Sequence, residues 1–175
     1  MIISVDRIKK IEQFKSVDDE EIKEQLDALE ILIRKYTNNN FQNRHVRFTA
    51  SSINDKLNGI SPFLKVGDTV QVSQSKVNDG LYIVRSVNVD SIVVDKPLFA
   101  VNKNLVTKIE YPFDIKQGVI NLMLWEIENR SKVGIKSETL SRHSVTYFDL
   151  DKTNQVMGYP VSLLGFLEKY KKARF

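Results

Sequence analysis

The chain has 175 residues, and 26 Lys and Arg against 22 Asp and Glu give a formal net charge of +4. That length fits one domain, or one domain with a small insert, able to bury roughly 70% of its unfolded surface without staples. It contains no cysteine and two histidines, which excludes a disulfide framework, a thiolate metal site and a cysteine nucleophile.

With 27% of the residues charged, the small positive excess is not the balance of a protein that coats DNA. Apolar residues make up 42% of the chain, but no unbroken apolar run approaches the ~20 residues that span a bilayer. The opening MIISVDRIKKIEQF lacks a long apolar region and a small-residue cleavage site, so the expectation is a soluble protein made and kept in a cytoplasm. Residues 1–45 carry 8 basic and 9 acidic residues, 46–110 carry 8 and 6, and 111–175 carry 10 and 7. The basic excess leans towards the C-terminal end.

In the first zone Val5, Ile8, Ile11 and Phe14 recur at spacings of three, which predicts helix. Ser16 is the expected N-cap of the next helix, with Asp19 at the capping-box distance and Asp18 to Glu21 over its positive end. Ile22, Leu26, Leu29, Ile33 and Tyr36 then form one apolar face, and Asn38, Asn39 and Asn40 end the helix.

Over 46–110 the period changes to two. Apolar positions alternate from Gly67 to Ser73, and Leu81 to Val87 is rich in β-branched and aromatic residues. Between them Asn78-Asp79-Gly80 supplies a turn, because Asp and Gly tolerate positive φ. A short strand at Ile92–Asp95, then Pro97, then Leu105–Ile109 complete four or five short strands, which suggest an SH3-like barrel or a curled antiparallel sheet.

Helix returns after Pro112, with Asp114 favouring the dipole and Ile115, Val119, Ile120, Leu122, Met123, Leu124, Trp125 and Ile127 on nearly every side. Such a helix lies centrally and is buried on most faces, which favours Trp125 as core packing over the alternative of an interface anchor. Val133-Gly134 should end it, and an extended segment should follow from Ser137 to Phe148. Tyr159-Pro160 opens a last short helix with Leu163, Leu164, Leu167 and Tyr170, and the chain finishes on Lys169, Lys171, Lys172, Arg174 and Phe175. The expected fold is therefore α+β: a small helical core of about four helices from 1–45 and 111–175, with an inserted SH3-like antiparallel β-barrel at 46–110.

Signals for chemistry are sparse. His45 and His143 lie far apart and lack the spacing of a metal or nucleophile motif, and the seven glycines never cluster as a phosphate loop. The acidic pairs Asp18-Asp19, Glu126 with Glu128, and Asp149 with Asp151 are explained by caps, solvated faces and turns. The expectation is no enzyme, no catalytic residue, no cofactor and no metal. A rival reading is a nucleic-acid-binding protein with an SH3-like module, given Arg47, Lys56, Lys65, Lys76, Arg85, Lys96, Lys103 and Lys108. Such an even spread is the ordinary pattern of a solubilising surface.

The order of parts resembles the head-tail connector, or adaptor, proteins of long-tailed bacteriophages. The resemblance rests on the N-terminal acidic helix pair, Val17-Asp18-Asp19-Glu20-Glu21-Ile22 to Ile33-Arg34-Lys35-Tyr36, followed by the Trp125 helix. It rests further on Ser137-Glu138, Ser144-Val145-Thr146-Tyr147, Gly158-Tyr159-Pro160 and Leu167-Glu168-Lys169-Tyr170-Lys171-Lys172. Zones one and three carry it, roughly 110 residues. Where the family often has a short loop, this chain has the β module, and Ser141-Arg142-His143 replaces a glycine-containing turn.

The resemblance implies a non-enzymatic homo-oligomeric ring, commonly of twelve subunits, under the portal at the capsid vertex. It implies the portal protein and the next head-completion or tail protein as partners, with DNA passing through the channel without sequence-specific binding and no membrane. The location implied is the virion neck, after synthesis in the host bacterial cytoplasm. The C-terminal segment is the implied portal contact, which singles out Leu167, Lys169, Tyr170, Lys171, Lys172, Arg174 and Phe175. Aromatic rings flanking cations suit a hot spot, and the free protein is expected to have a mobile C-terminus.

Overall fold

The computed structural model describes residues 1–129, 137–140, 143–146, 154–156 and 158–173. The expected helix end at Val133-Gly134, the residues Ser141, Arg142, Tyr147, Phe148, Asp149 and Asp151, and the final Arg174 and Phe175 lie outside the described residues. The chain divides into two compact units, one of Met1 with Asn40–Tyr111 and one of Ile2–Asn39 with Pro112–Phe175.

In the second unit, α1 (Val5–Ile8) is a single turn and Glu12–Phe14 a 3₁₀ turn, so the spacing of three spans two short pieces instead of one helix. The break follows from Ile11, which is extended at φ −86° and ψ 131°. Helix α2 (Asp19–Thr37) begins at Asp18, not Ser16: the Asp18 carboxylate accepts from the Glu20 N–H at 2.9 Å. Asp18 wins because a carboxylate next to the positive helix end makes a charge-assisted cap, stronger than that of a hydroxyl. Ile22, Leu26, Leu29 and Ile33 are buried along the expected face, and Asn38, left-handed at φ 50°, closes the helix.

Helix α3 (Phe113–Asn129) buries Ile115, Val119, Leu122 and Met123. Trp125 is only half-buried, its ring 5.7 Å from that of Tyr159. The helix is not buried on every side: Phe113 and Ile127 face solvent. The segment after it is a hairpin and not one extended run, with β7 (Ser137–Leu140) antiparallel to β8 (His143–Thr146). A two-stranded ribbon of β9 (Gln155–Val156) and β10 (Tyr159–Pro160) leads into a 3₁₀ helix, Val161–Tyr170, that packs Leu164 and Leu167 against α2 and α3.

The first unit is a closed antiparallel barrel. Its strands in chain order are β1 (Gln42–Ile53), β2 (Lys56–Asn58), β3 (Thr69–Ser73), β4 (Gly80–Val87), β5 (Ser91–Val94) and β6 (Val101–Ile109), and they neighbour one another in the order β1-β2-β5-β4-β3-β6. Together with the helices this is an α+β fold with an inserted SH3-like barrel. The expected boundary at residue 46 falls inside β1, because register shifts between Asn43 and Arg47 and between Ala50 and Ser52 let a 12-residue strand bend and pair with both β2 and β6. The core is the set of inward residues that the alternation marks, among them Val70, Val72, Val84, Ile92 and Val106.

Two turns differ from expectation. The tightest hairpin is Asn54-Asp55, both left-handed at φ 51° and 59°, between β1 and β2. In the Asn78-Asp79-Gly80 stretch the positive φ values belong to Gln74 and Lys76 instead, while the Asp79 carboxylate accepts from the Ser75 N–H.

Candidate interaction surfaces

The C-terminal residues singled out by the resemblance are docked on their own helical unit as far as Ala173. Leu167 is 0% exposed and belongs to the core, so it offers no surface to a partner. Asp114, in the first turn of α3, accepts the Tyr170 hydroxyl at 2.7 Å and lies 2.8 Å from the Lys169 ammonium. The hydrogen bond from Lys169 is the main reason the Asp114 carboxyl titrates below its ordinary range, and Asp114 in turn raises Lys169. Burial first, and then Asp114, raise the Tyr170 phenol.

A second set forms at the other end of the same segment. Lys171 donates to Glu168 at 2.8 Å and lies 4.1 Å over the Tyr36 ring, while the Tyr36 hydroxyl donates to Glu168 at 2.9 Å. Lys171 foremost, then Tyr36, lower the Glu168 pKa, and Glu168 raises that of Lys171. The backbone is held too: Lys172 N–H donates to Thr37 C=O at 2.8 Å, and the amides of Asn38 and Asn39 donate to the carbonyls of Ala173 and Tyr170. The asparagine run that ends α2 therefore also receives the chain's end. The C-terminal segment is docked on its own subunit up to Ala173, where a mobile segment was expected. Of its lysines, the Lys172 side chain is exposed without an ion pair among the described residues.

A different surface, not anticipated from the sequence, lies on the barrel. Asn78 is 1% exposed and acts as a hub: its side-chain NH₂ donates to Phe99 C=O at 2.9 Å and to Ser52 Oγ at 3.0 Å, and its Oδ1 accepts Phe99 N–H at 2.9 Å. The Ser52 hydroxyl also donates to Phe99 C=O at 2.6 Å, and Asp55 Oδ1 accepts Leu98 N–H at 2.9 Å. These bonds tie three segments together: the β1–β2 hairpin, the loop 74–79 and the stretch 95–100. Each presents an apolar side chain outward, Ile53 at 51%, Val77 at 57% and Phe99 at 71% exposure. Lys56 is the cross-strand partner of Ile53, Lys76 precedes Val77, and Lys103 is exposed on β6. All three lysines lack an ion pair among the described residues. The sequence signal was a polar Asn and Ser set flanking an otherwise apolar barrel core, which satisfies loop backbone that would be orphaned on burial.

His45 is exposed on β1, where its backbone N–H donates to the Asn43 side chain. Asp18 is a cap and Asp19 pairs with Lys9 at 3.0 Å. Glu126 is buried and accepts the Tyr159 hydroxyl, while Glu128 is exposed. Among the described residues no three His, Asp or Glu side chains are grouped for a metal, and no helix is long and apolar enough to cross a membrane. No protein-family model and no curated protein matches the chain.

Proposed function

We propose that the chain is a structural head-tail connector subunit of a long-tailed bacteriophage, a non-enzymatic adaptor that assembles as a ring under the portal and extends the DNA channel. The observation that carries this reading is the barrel surface at Ile53, Val77 and Phe99: apolar side chains held outward on hydrogen-bonded backbone suit protein docking, since a rigid mount lowers the ordering cost of association. An insert between two helices adds such a surface without interrupting the helical core. The portal contact is assigned to the exposed lysines of the C-terminal segment, Lys169, Lys171 and Lys172, with the half-buried Tyr170 between them. Electron microscopy of the full chain mixed with its portal tests this: added density of matching rotational symmetry on one face of the portal is expected, and undecorated portals overturn it.

The second reading is nucleic-acid binding, favoured by an exposed Phe99 ring on a barrel that also carries the exposed Lys56, Lys76 and Lys103, since bases stack on aromatic rings. It requires affinity for single-stranded or duplex DNA that falls steeply with salt. A connector leaves free DNA unbound at physiological salt.

A further inference from the structure

Packing requires a glycine after Asn58. A Cβ at Gly59 would lie 3.0 Å from both the Ala50 Cβ and the Thr49 carbonyl oxygen, so glycine is what lets the end of β2 run this close to β1. Asn58-Gly59 is the chain's single Asn-Gly pair. Such a pair is chemically labile, because a backbone nitrogen with no side chain beyond it reaches the asparagine Cγ with little hindrance. The asparagine side chain is not held: Asn58 is exposed, and its one hydrogen bond, from Nδ2 to Ser51 Oγ, is a long 3.5 Å. The single Asp-Gly pair, Asp79-Gly80, differs in that its carboxylate accepts the Ser75 N–H at 2.8 Å.

The backbone around Asn58 supplies the restraint. Gly59 N–H donates to Asp90 C=O at 3.1 Å, and Asn58 is in register with Ser51 on β1 and Ser91 on β5. Ring closure onto Cγ needs the strand backbone to rotate and the Asp90 bond to break. β2 has only three residues, and it alone stands between β1 and β5 in the closed order of the barrel. Its central Leu57 is fully buried in the barrel core.

We propose that Asn58-Gly59 is a self-modification site that the closed barrel protects and an opened β2 seam exposes, so that modification makes the opening irreversible. The Gly59 nitrogen attacks Asn58 Cγ, a C–N bond forms, the Cγ–Nδ2 bond breaks, and ammonia leaves with the proton from the Gly59 nitrogen. Water then opens the succinimide at one carbonyl to give aspartate or at the other to give isoaspartate. Isoaspartate routes the main chain through the former side chain and lengthens it by one carbon. That carbon displaces Gly59 from Ala50 and from Asp90, and the product cannot regain the register of β2 with its two neighbours. The site needs no partner and stands apart from the connector reading.

Trypsin, cutting after Lys56 and Lys65, releases the pair in one peptide. Mass spectrometry of that peptide reads the change from amide to acid, and isoaspartyl methyltransferase labelling reads the isoaspartate. The full chain is incubated near neutral pH, folded and in urea above its unfolding midpoint. Conversion should be at least about tenfold slower in the folded chain, and urea below the midpoint should speed it in step with the population of the open form. Equal rates in the two states overturn the proposal, as does an unfolded chain that converts nothing in this peptide.

Refolding reads the consequence. After incubation in urea and return to buffer, the isoaspartyl fraction should lack slow amide exchange on β2 and β5, while Asn58→Asp, with the same charge on an ordinary main chain, should regain it. An isoaspartyl fraction protected like the parent overturns the irreversibility. Asn58→Ser, taken through the same incubation, should refold in full. A loss of refolding equal to the parent's would trace the damage to another site and overturn the assignment to Asn58.

Discussion

The Tyr36 hydroxyl donates a 2.9 Å hydrogen bond to Glu168, 132 positions later in the chain, and Lys171 covers the same ring. Two of the cations assigned to a partner, Lys169 and Lys171, are thus already engaged within the subunit. A portal that binds them has to offer carboxylates in place of Glu168 and Asp114, or to recognise the segment in its docked form. The second route carries no reordering cost and is the one a hydrogen-bonded chain end favours.

Truncation after Gly165 should destabilise the subunit. It removes Leu167, whose side chain is fully buried, together with the Tyr170 and Lys169 contacts to Asp114. Leu167→Ala alone should cost ~2–5 kcal/mol, read from urea unfolding of the full chain. Truncation after Ala173 should leave the unfolding midpoint where it is. Equal midpoints for the Gly165 truncation and the full chain would return the segment to the status of a loose tail.

Docking of the C-terminal segment should weaken in acid. Glu168 and Asp114 titrate below their ordinary values of 4.5 and 3.8, mainly through hydrogen bonds from Lys171 and Lys169. A depressed carboxylate contributes stability above its unfolded pKa and loses it as pH falls through the folded pKa. The loss should therefore begin below about pH 4.5 and continue beneath the folded values. Hydrogen exchange at the amides of 167–173 should accelerate in that window, and Glu168→Gln should flatten the part due to Glu168. Exchange that stays flat from pH 6 to 3 would mean the ion pairs contribute nothing to docking. Glu168 is exposed and Asp114 partly so, and salt should have the same direction of effect.

The architecture was readable because period is a strong signal: Ile22, Leu26, Leu29 and Ile33 could only be one helical face, and the alternation at Val70 and Val72 one strand. What escaped were choices decided by single side chains. Asp18 displaced Ser16 as cap because a carboxylate is the better acceptor at a positive helix end. The Asn54-Asp55 hairpin carried the same chemistry as Asn78-Asp79-Gly80, and local composition did not say which pair would take positive φ. The barrel surface was invisible for a different reason: Ser52, Asn78 and Phe99 meet only after closure of the sheet, and no spacing in the chain encodes that. Leu167 was misplaced because a short 3₁₀ segment rotates its side chains in threes, so Leu164 and Leu167 share the inward face while the lysines turn out.

Removal of the barrel should leave the helical unit folded. The barrel's two ends meet, with the Phe41 and Tyr111 rings 4.8 Å apart and Glu110 N–H donating to Phe41 C=O at 2.9 Å. A short linker in place of 40–111 spans that gap. Circular dichroism should keep the helical signal with a single cooperative melt. Loss of both would show that the two units depend on each other for folding.

Asn78→Ala should be among the most damaging barrel substitutions. It leaves Phe99 N–H without its buried acceptor and removes a donor from Ser52 and from Phe99 C=O. An orphaned buried group costs ~1–3 kcal/mol, so about 3 kcal/mol is expected for the set, read by urea unfolding. Asn78→Asp keeps the shape and the acceptor but not the donors, and should fall between. An unfolding midpoint unchanged in Asn78→Ala would show that these hydrogen bonds contribute nothing to barrel stability.

Gly118→Ala sets two opposing effects against each other. In the middle of α3 alanine should gain up to about 1 kcal/mol over glycine by helix propensity. A Cβ at this position, however, would run into the ring of Phe166 from the C-terminal 3₁₀ helix. Gly118 is buried, and the missing side chain is the seat of that ring. Overpacking a well-filled site costs ~1–3 kcal/mol, which exceeds the propensity gain, so the net change should be a loss of about 1 kcal/mol. The loss should be local: amides of 164–170 should exchange faster, while those of the barrel hold. Pairing the substitution with Phe166→Leu, which shortens the ring's reach, should recover the propensity gain and bring the double variant back to within error of the Phe166→Leu single variant or above it. A Gly118→Ala protein more stable than the parent would mean that Phe166 moves aside freely and that the glycine has no packing role.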